Sequence, residues 1–141
     1  MSIFFAFLSA GFAALVAIFA KLGLQNIDST LATTVRALIM ALFFVLVSLF
    51  FGKFTDFNFS SFNTREWILI VLSGLAGALS WLFYFYAIQN GSVTTVVAID
   101  KLSIAFVVVL AVLLLGENLS WKVALGALLM TGGAVLISWK G

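Results

Sequence analysis

Residues 93–115 read VTTVVAIDKLSIAFVVVLAVLLL, an apolar stretch in which one acid and one base, Asp100 and Lys101, stand side by side. A helix needs about 20 mostly apolar residues to cross a hydrocarbon core of ~30 Å. The stretch is long enough, and its apolar residues do not alternate with polar ones as the strands of a membrane β-barrel require. It therefore predicts a membrane-spanning helix that carries two charges inside the bilayer.

Four other stretches of the chain meet the same criterion, and short polar links separate them. The five predicted spans cover about residues 3–20, 30–51, 67–88, 93–115 and 121–139. The 141-residue chain is 65% hydrophobic and 9% charged, whereas soluble domains are about 45–50% apolar and 25% charged. We therefore expect an all-α membrane protein with a single five-helix transmembrane domain over residues 1–141.

The composition also excludes several functions. The sequence has no Cys and no His, which excludes thiol chemistry, the usual zinc sites and imidazole catalysis. No nucleophile is placed near a base, so we predict no enzyme activity and no cofactor. The net charge of +2 is scattered along the chain, which gives no support for nucleic-acid binding.

The basic residues outside the spans do not fix an orientation in the membrane. Five spans place the termini on opposite sides, here called side A (N-terminal) and side B. Side A carries three basic residues and side B two, namely Lys53, Arg65 and Lys122 against Lys21 and Lys140. The positive-inside rule needs a clearer bias than one residue. We predict insertion in both orientations and an antiparallel homodimer, with one fixed orientation as the alternative.

Charged residues inside the spans are the first candidates for a functional site. An intramembrane charge costs about 2.5–3.5 kcal/mol on insertion scales, so it is retained for a reason. Arg36 lies ~7 Å from the middle of span 2, and Asp100 and Lys101 lie ~5 Å from the middle of span 4. Because both spans enter from side B, the depths match and predict an Arg36–Asp100 ion pair.

If Asp100 pairs with Arg36, the charge of Lys101 inside the membrane needs another partner. Neighbouring residues of a helix point about 100° apart, so Asp100 and Lys101 are not expected to satisfy each other. A Lys101 that faces a wet cavity could meet a ligand, with Asp100 beside it. Asp100 is also the only carboxylate deep enough to carry a proton across the membrane. The alternative to a functional site is that Arg36, Asp100 and Lys101 form one closed network of ion pairs with a purely structural role.

Span 3 carries a polar and aromatic cluster. Trp81 and Tyr84 share a helix face, and Tyr84 lies at i+4 from Ser80. Rings with a polar atom can stack on a substrate and hydrogen-bond it. We therefore expect Ser80, Trp81 and Tyr84 to line a substrate cavity.

Glycines mark the faces where helices are expected to pack. The chain has no proline, and small residues let helix backbones approach closely. Gly74 and Gly77 in span 3 are such candidates. Gly126 and Gly133 lie seven residues apart on one face of span 5 and predict a helix-pairing seam, either within one chain or between two copies.

Several motifs resemble the EamA-like branch of the drug/metabolite transporter superfamily. They are AKLGL at 20–24, TVR at 34–36, LSWLFYFYA at 79–87, IDKLS at 99–103 and LLGENL at 114–119. The resemblance implies a five-helix repeat, of which larger relatives hold two inverted copies in a ten-helix unit. It also implies a cavity surrounded by the first, third and fourth helices, with a basic residue of the fourth helix, here Lys101, at the substrate. Many relatives have a proline in that helix, so a proline kink is not expected here.

These observations predict a secondary transporter of a small metabolite in the cell inner membrane, in contact with lipid. It would work by alternating access as a dual-topology homodimer with a midplane cavity. Lys101 of each copy would attract an anionic or zwitterionic substrate, while Ser80, Trp81 and Tyr84 form the walls. The alternatives are a proton-coupled exporter of a cationic or aromatic compound, a dual-topology ion channel and a non-transporting partner subunit.

Overall fold

The computed structural model describes residues 1–55 and 62–139, and all regular secondary structure in these two ranges is helical. The helices are α1 (Ser2–Gly23), α2 (Ser29–Phe50), α3 (Thr64–Asn90), α4 (Val93–Asp100), α5 (Ser103–Leu115) and α6 (Trp121–Ser138). Five helical segments in these ranges are long and apolar enough to cross a membrane, and α4 with α5 forms the fourth of them. The prediction of an all-helical protein with five spans is confirmed. Lys140, which entered the charge count, lies outside the described residues.

Polar side chains at the helix starts explain where the helices begin. Asp28, Ser92 and Ser120 each accept a hydrogen bond from the backbone N–H three residues later, at 2.9, 3.2 and 3.3 Å. The first N–H groups of a helix have no partner within it, and these caps satisfy one of them in each case. The three polar links therefore set the N-terminal boundaries of α2, α4 and α6.

Two helices end at a glycine in the left-handed region, where a side chain would be strained. Gly52 follows α2 with φ 62°, and Gly116 follows α5 with φ 67°. After α2 the backbone N–H groups of Gly52 and Lys53 donate to the carbonyls of Leu49 and Ser48, at 3.0 and 2.8 Å. This pair of bonds is a Schellman motif, which satisfies two of the free carbonyls at the helix end.

Helix α3 begins with a reciprocal cap, which leads to a prediction about stability. Glu66 N–H donates to Asn63 Oδ1, and Asn63 N–H donates to Glu66 Oε2, both at 2.9 Å. Replacing an Asn cap by Ala costs about 1 kcal/mol. We expect Asn63→Ala to lower the free energy of unfolding in detergent by that amount. Ser73→Ala, on an exposed part of the same helix, should change it by less than about 0.5 kcal/mol, and equal losses would contradict the capping role.

The chain forms two compact units, and the first comprises Met1–Leu22 with Asn90–Gly141. In it α6 packs against both α4 and α5. Lys21 Nζ donates to the carbonyl of Gly91 at 2.9 Å and holds the end of α1 to the turn before α4. The buried apolar side chains described for this unit are all alanines, Ala17, Ala20, Ala98 and Ala134. Small side chains let helices pack closely in a membrane, so alanine provides the close packing here.

The second unit, Gly23–Gln89, contains α2 and α3. Its buried side chains include Leu24, Phe85 and Ile88, and Ile88 is completely buried. Gln89 Nε2 donates to the carbonyls of Leu24 and Ile27 at 3.1 and 2.8 Å. This amide therefore holds the link before α2 against the end of α3.

Most large apolar side chains lie on the outside of the described chain. Phe12, Leu72 and Leu114, for example, are 66%, 56% and 76% exposed. A soluble monomer does not expose apolar surface on this scale, whereas a bilayer or another membrane protein covers it without cost. The surface thus agrees with the composition in placing the protein in a membrane.

The glycines that the sequence singled out have open surroundings. A Cβ atom built on Gly74, Gly77, Gly126 or Gly133 would meet no atom within 4 Å, the chain's own helix backbone aside. Contact of these glycines with a second molecule stays a prediction.

Candidate functional site

The fourth span is broken at the residues that carry its charges. Helix α4 ends at Asp100 and α5 begins at Ser103. Across the break the N–H groups of Leu102, Ile104 and Ala105 donate to the carbonyl three positions back, at 2.9, 3.1 and 3.0 Å. Such bonds are those of a 3₁₀ turn, which is tighter than an α-helix. The break therefore arises without a proline, since the sequence contains none.

Asp100 and Lys101 form an ion pair at this break. Lys101 Nζ lies 3.2 Å from Asp100 Oδ2, and the two side chains are 52% and 40% exposed. The expectation that neighbouring helix residues cannot satisfy each other was wrong here. Lys101 is the first residue beyond α4 and lies in the tighter 3₁₀ turn, and its long side chain reaches back to the carboxylate.

The third intramembrane charge, Arg36, contacts aromatic rings of its own unit. Its guanidinium carbon lies 3.7 Å from the centroid of the Trp81 ring and 5.2 Å from that of Phe85. A guanidinium over the face of a ring is attracted to it by about 2 kcal/mol when water is excluded. The predicted Arg36–Asp100 ion pair would join the two units and stays a prediction.

The aromatic cluster predicted on span 3 is present, with one further member. The Trp81 and Tyr84 rings are 5.5 Å apart and nearly perpendicular, a favourable geometry for aromatic pairs. Phe85, which the sequence analysis did not select, is buried and lies 5.7 Å from Trp81. Its spacing of i+4 from Trp81 indicates that the two residues share a helix face. A Phe in a membrane span is equally typical of a residue that faces lipid, so the spacing did not select it. Ser80 lies on the exposed part of α3.

A groove of about 630 Å³ lies between α2 and α3, with Arg36 and Trp81 in its wall. Sites for small molecules have volumes of ~300–1,000 Å³, so the groove has a suitable size. Its α2 wall also includes Thr30, Thr33 and Met40, which recur at helical spacing. That spacing was a signal for a shared face, but threonines in a span are common and did not by themselves indicate a site.

The sequence profile of the EamA-like transporter family matches residues 1–139. The chain belongs to this family. A protein of Sinorhizobium sp named "Uncharacterized transporter in cobO 3'region" is 39% identical over 135 residues, which are 96% of this chain and 94% of the relative. No solved structure matches the chain. The resemblance seen in the motifs is confirmed, and this EamA-like protein is a multi-pass membrane transporter.

Membership in the EamA-like family indicates the class of function. The family and the Sinorhizobium relative point to a transporter rather than an enzyme. Such a protein contacts lipid along its spans and takes small molecules as substrates. No group of three or more metal-ligating side chains that could hold an ion occurs in residues 1–55 and 62–139.

Proposed function

We propose that this EamA-like protein is a secondary transporter of a small anionic or zwitterionic metabolite in the inner membrane, and that it works as an antiparallel homodimer. The observation that carries the proposal is the Asp100–Lys101 pair, half exposed at a break of the fourth span. Charges at this depth cost about 2.5–3.5 kcal/mol each when lipid surrounds them. A water-filled cavity or a second copy has to cover the pair.

The homodimer follows from the number of spans and from the charge balance. Five spans make one repeat, and an oppositely oriented second copy would complete an inverted pair of the kind that many transporters contain within one chain. The three-to-two division of basic residues opposes neither orientation. The open face around Gly126 and Gly133 supports a contact between copies, because nothing in the described chain fills it.

In this proposal each residue of the candidate site has a separate role. Lys101 of each copy attracts the anionic group of the substrate, and Asp100 holds the ammonium in place while the site is empty. Trp81, Tyr84 and Ser80 form walls on which the substrate stacks or to which it hydrogen-bonds. Rocking of the two copies then opens the cavity to each side in turn.

A second candidate is a proton-coupled exporter of a cationic or aromatic compound. The observation that favours it is the 40% exposure of the Asp100 side chain, which leaves the carboxylate within reach of water. In that case Asp100 exchanges a proton for the substrate. The pH inside proteoliposomes would then change as the substrate moves across the membrane. Uptake of an anionic metabolite through Lys101 alone would leave this internal pH unchanged.

The first experiment is to determine orientation in the native membrane. The chain has no cysteine of its own, so Ser2→Cys and Gly141→Cys can be labelled from each side with a reagent that does not cross the bilayer. We expect both positions to react from both faces in similar amounts. Labelling of each position from one face only would remove the antiparallel homodimer and would make the chain a repeat that needs a different partner.

The second experiment is to measure transport by the purified protein. Proteoliposomes preloaded with unlabelled amino acids or organic acids are given the same compound in radioactive form. We expect saturable exchange of at least one anionic or zwitterionic compound. Flux that rises linearly with concentration, together with a conductance, would indicate an ion channel instead.

A further inference from the structure

The groove between α2 and α3 contains a positive charge that no described carboxylate of its own unit balances. Within residues 23–55 and 62–89, no carboxylate lies at ion-pair distance from Arg36, and no acceptor lies at hydrogen-bond distance from it. The Trp81 ring covers one face of the guanidinium, with 3.7 Å between its carbon and the ring centroid. The five N–H donors lie in the guanidinium plane, so this ring contact leaves them available.

The depth of Arg36 indicates which anion can reach it. Arg36 lies about 5–7 Å from the middle of its span, and Trp81 lies at a similar distance from the middle of span 3. Lipid headgroups begin about 15 Å from the midplane of a 30 Å hydrocarbon core. A lipid phosphate would have to move far into the apolar region, so a small solute in the groove is the better match.

The walls of the groove indicate the rest of the ligand. The Thr33 and Thr34 hydroxyls already donate to the carbonyls of Ser29 and Thr30, at 2.7 and 2.9 Å, and have no hydrogen left to offer. Most of the remaining wall is apolar, with Met40 and Leu75 among its side chains. The Arg36 guanidinium is therefore the one charged donor group among the residues that line the groove, and its fork matches a single carboxylate.

We propose that the α2–α3 groove binds a small organic monocarboxylate, with its carboxylate on Arg36 and its apolar body beside Trp81. The binding itself stands on the geometry of the groove. Its meaning as substrate recognition rests on the proposed transport function, in which the same carboxylate meets Lys101 and Arg36 at different steps of the transport cycle, and it assigns to the substrate a single negative charge and an apolar body.

The test uses benzoate and its neutral counterpart benzamide on the purified protein in detergent, with binding measured by calorimetry. We expect saturable binding of benzoate and at least tenfold weaker binding of benzamide. Arg36→Gln should weaken benzoate binding at least tenfold. Arg36→Lys should restore part of it, because the charge returns without the fork.

A second variant keeps the proposal testable if Arg36→Gln does not fold. Gly77 lines the groove, and a Cβ added to it would meet no atom within 4 Å. Gly77→Leu therefore places a side chain in the groove while Arg36 is kept, and it should abolish benzoate binding. Gly11→Leu is the matched control, because Gly11 has equally open surroundings on α1, outside this groove, and binding should be unchanged.

Four results would overturn the proposal. The first is equal binding of benzoate and benzamide, and the second is benzoate binding that survives Gly77→Leu. The third is benzoate binding that is seen in phosphatidylcholine nanodiscs and is abolished when phosphatidylglycerol is added. The fourth is benzoate binding that Asp100→Asn strengthens more than tenfold. The third would mean that a lipid headgroup occupies the site, and the fourth would mean that Arg36 forms an ion pair with Asp100 in the native protein. Benzoate binding without any transport would count against the proposed function and would leave the site in place.

Discussion

Lys101→Gln is expected to lower saturable exchange at low substrate concentration by about 10- to 100-fold per molecule of folded protein, although the yield should also fall because the Asp100 carboxylate loses its partner. Hydrogen bonds to a charged group contribute about 1.5–3 kcal/mol, which corresponds to a roughly 10- to 100-fold loss in substrate affinity. The Lys101 side chain is 52% exposed, so its replacement removes little packing. The measurement is counterflow in proteoliposomes, together with size-exclusion chromatography of the purified variant. Lys122→Gln, which removes a charge just inside the start of α6, should leave exchange within about twofold.

The partner residue separates a binding role of Lys101 from a structural one. Asp100→Asn leaves the ammonium without its carboxylate, 3.2 Å away in the native protein, and should lower the yield of folded protein. The double variant Asp100→Asn with Lys101→Gln removes both charges and should restore the yield but not the exchange. Exchange restored in the double variant would mean that the pair serves only the structure, because no charge would then be needed for the substrate.

Ile88→Ala should produce the largest loss of stability of any single apolar truncation described here. Ile88 is completely buried at the end of α3. Truncating a fully packed Ile to Ala costs about 2–5 kcal/mol, because the neighbours do not collapse into the space. Unfolding by titration with sodium dodecyl sulfate in mild detergent measures the difference.

Two further variants control for the position and the size of the Ile88 change. Ile88→Val should cost only about 0.5–1.5 kcal/mol. Leu72→Ala, on the same helix but 56% exposed, should cost less than either. If Leu72→Ala destabilised the protein as much as Ile88→Ala, the burial of Ile88 would not be what holds the second unit together.

The spans could be predicted from the sequence because apolar length is a one-dimensional property. The charged positions 36, 100 and 101 were found for the same reason. Their contacts were harder to predict. Asp100 and Lys101 would diverge on a continuous α-helix, but the chain forms a 3₁₀ turn at Leu102.

The surroundings of Arg36 depend on helix rotation and on side-chain conformation, which spacing does not provide. The similar depths of Arg36 and Asp100 in their spans predicted a carboxylate as the partner of the guanidinium. Within the second unit the guanidinium instead contacts the Trp81 ring. The threonines of α2 follow helical spacing along the groove, and Phe85 follows it from Trp81 and lies 5.2 Å from the Arg36 guanidinium carbon. The pattern was visible, but nothing in the sequence distinguished a face that lines a groove from one that meets lipid.

The broken fourth span also constrains how the protein is made. Helix α4 has 8 residues and α5 has 13, which correspond to about 12 and 20 Å, and neither length crosses a 30 Å core. The two halves must therefore leave the translocon together, as one segment that is apolar enough to carry an acid and a base. Each Leu, Ile or Val contributes roughly −0.3 to −0.6 kcal/mol to insertion, against about +2.5 to +3.5 kcal/mol for each charge. Polar substitutions in either half would then be lost during biosynthesis, before any effect on transport could be observed.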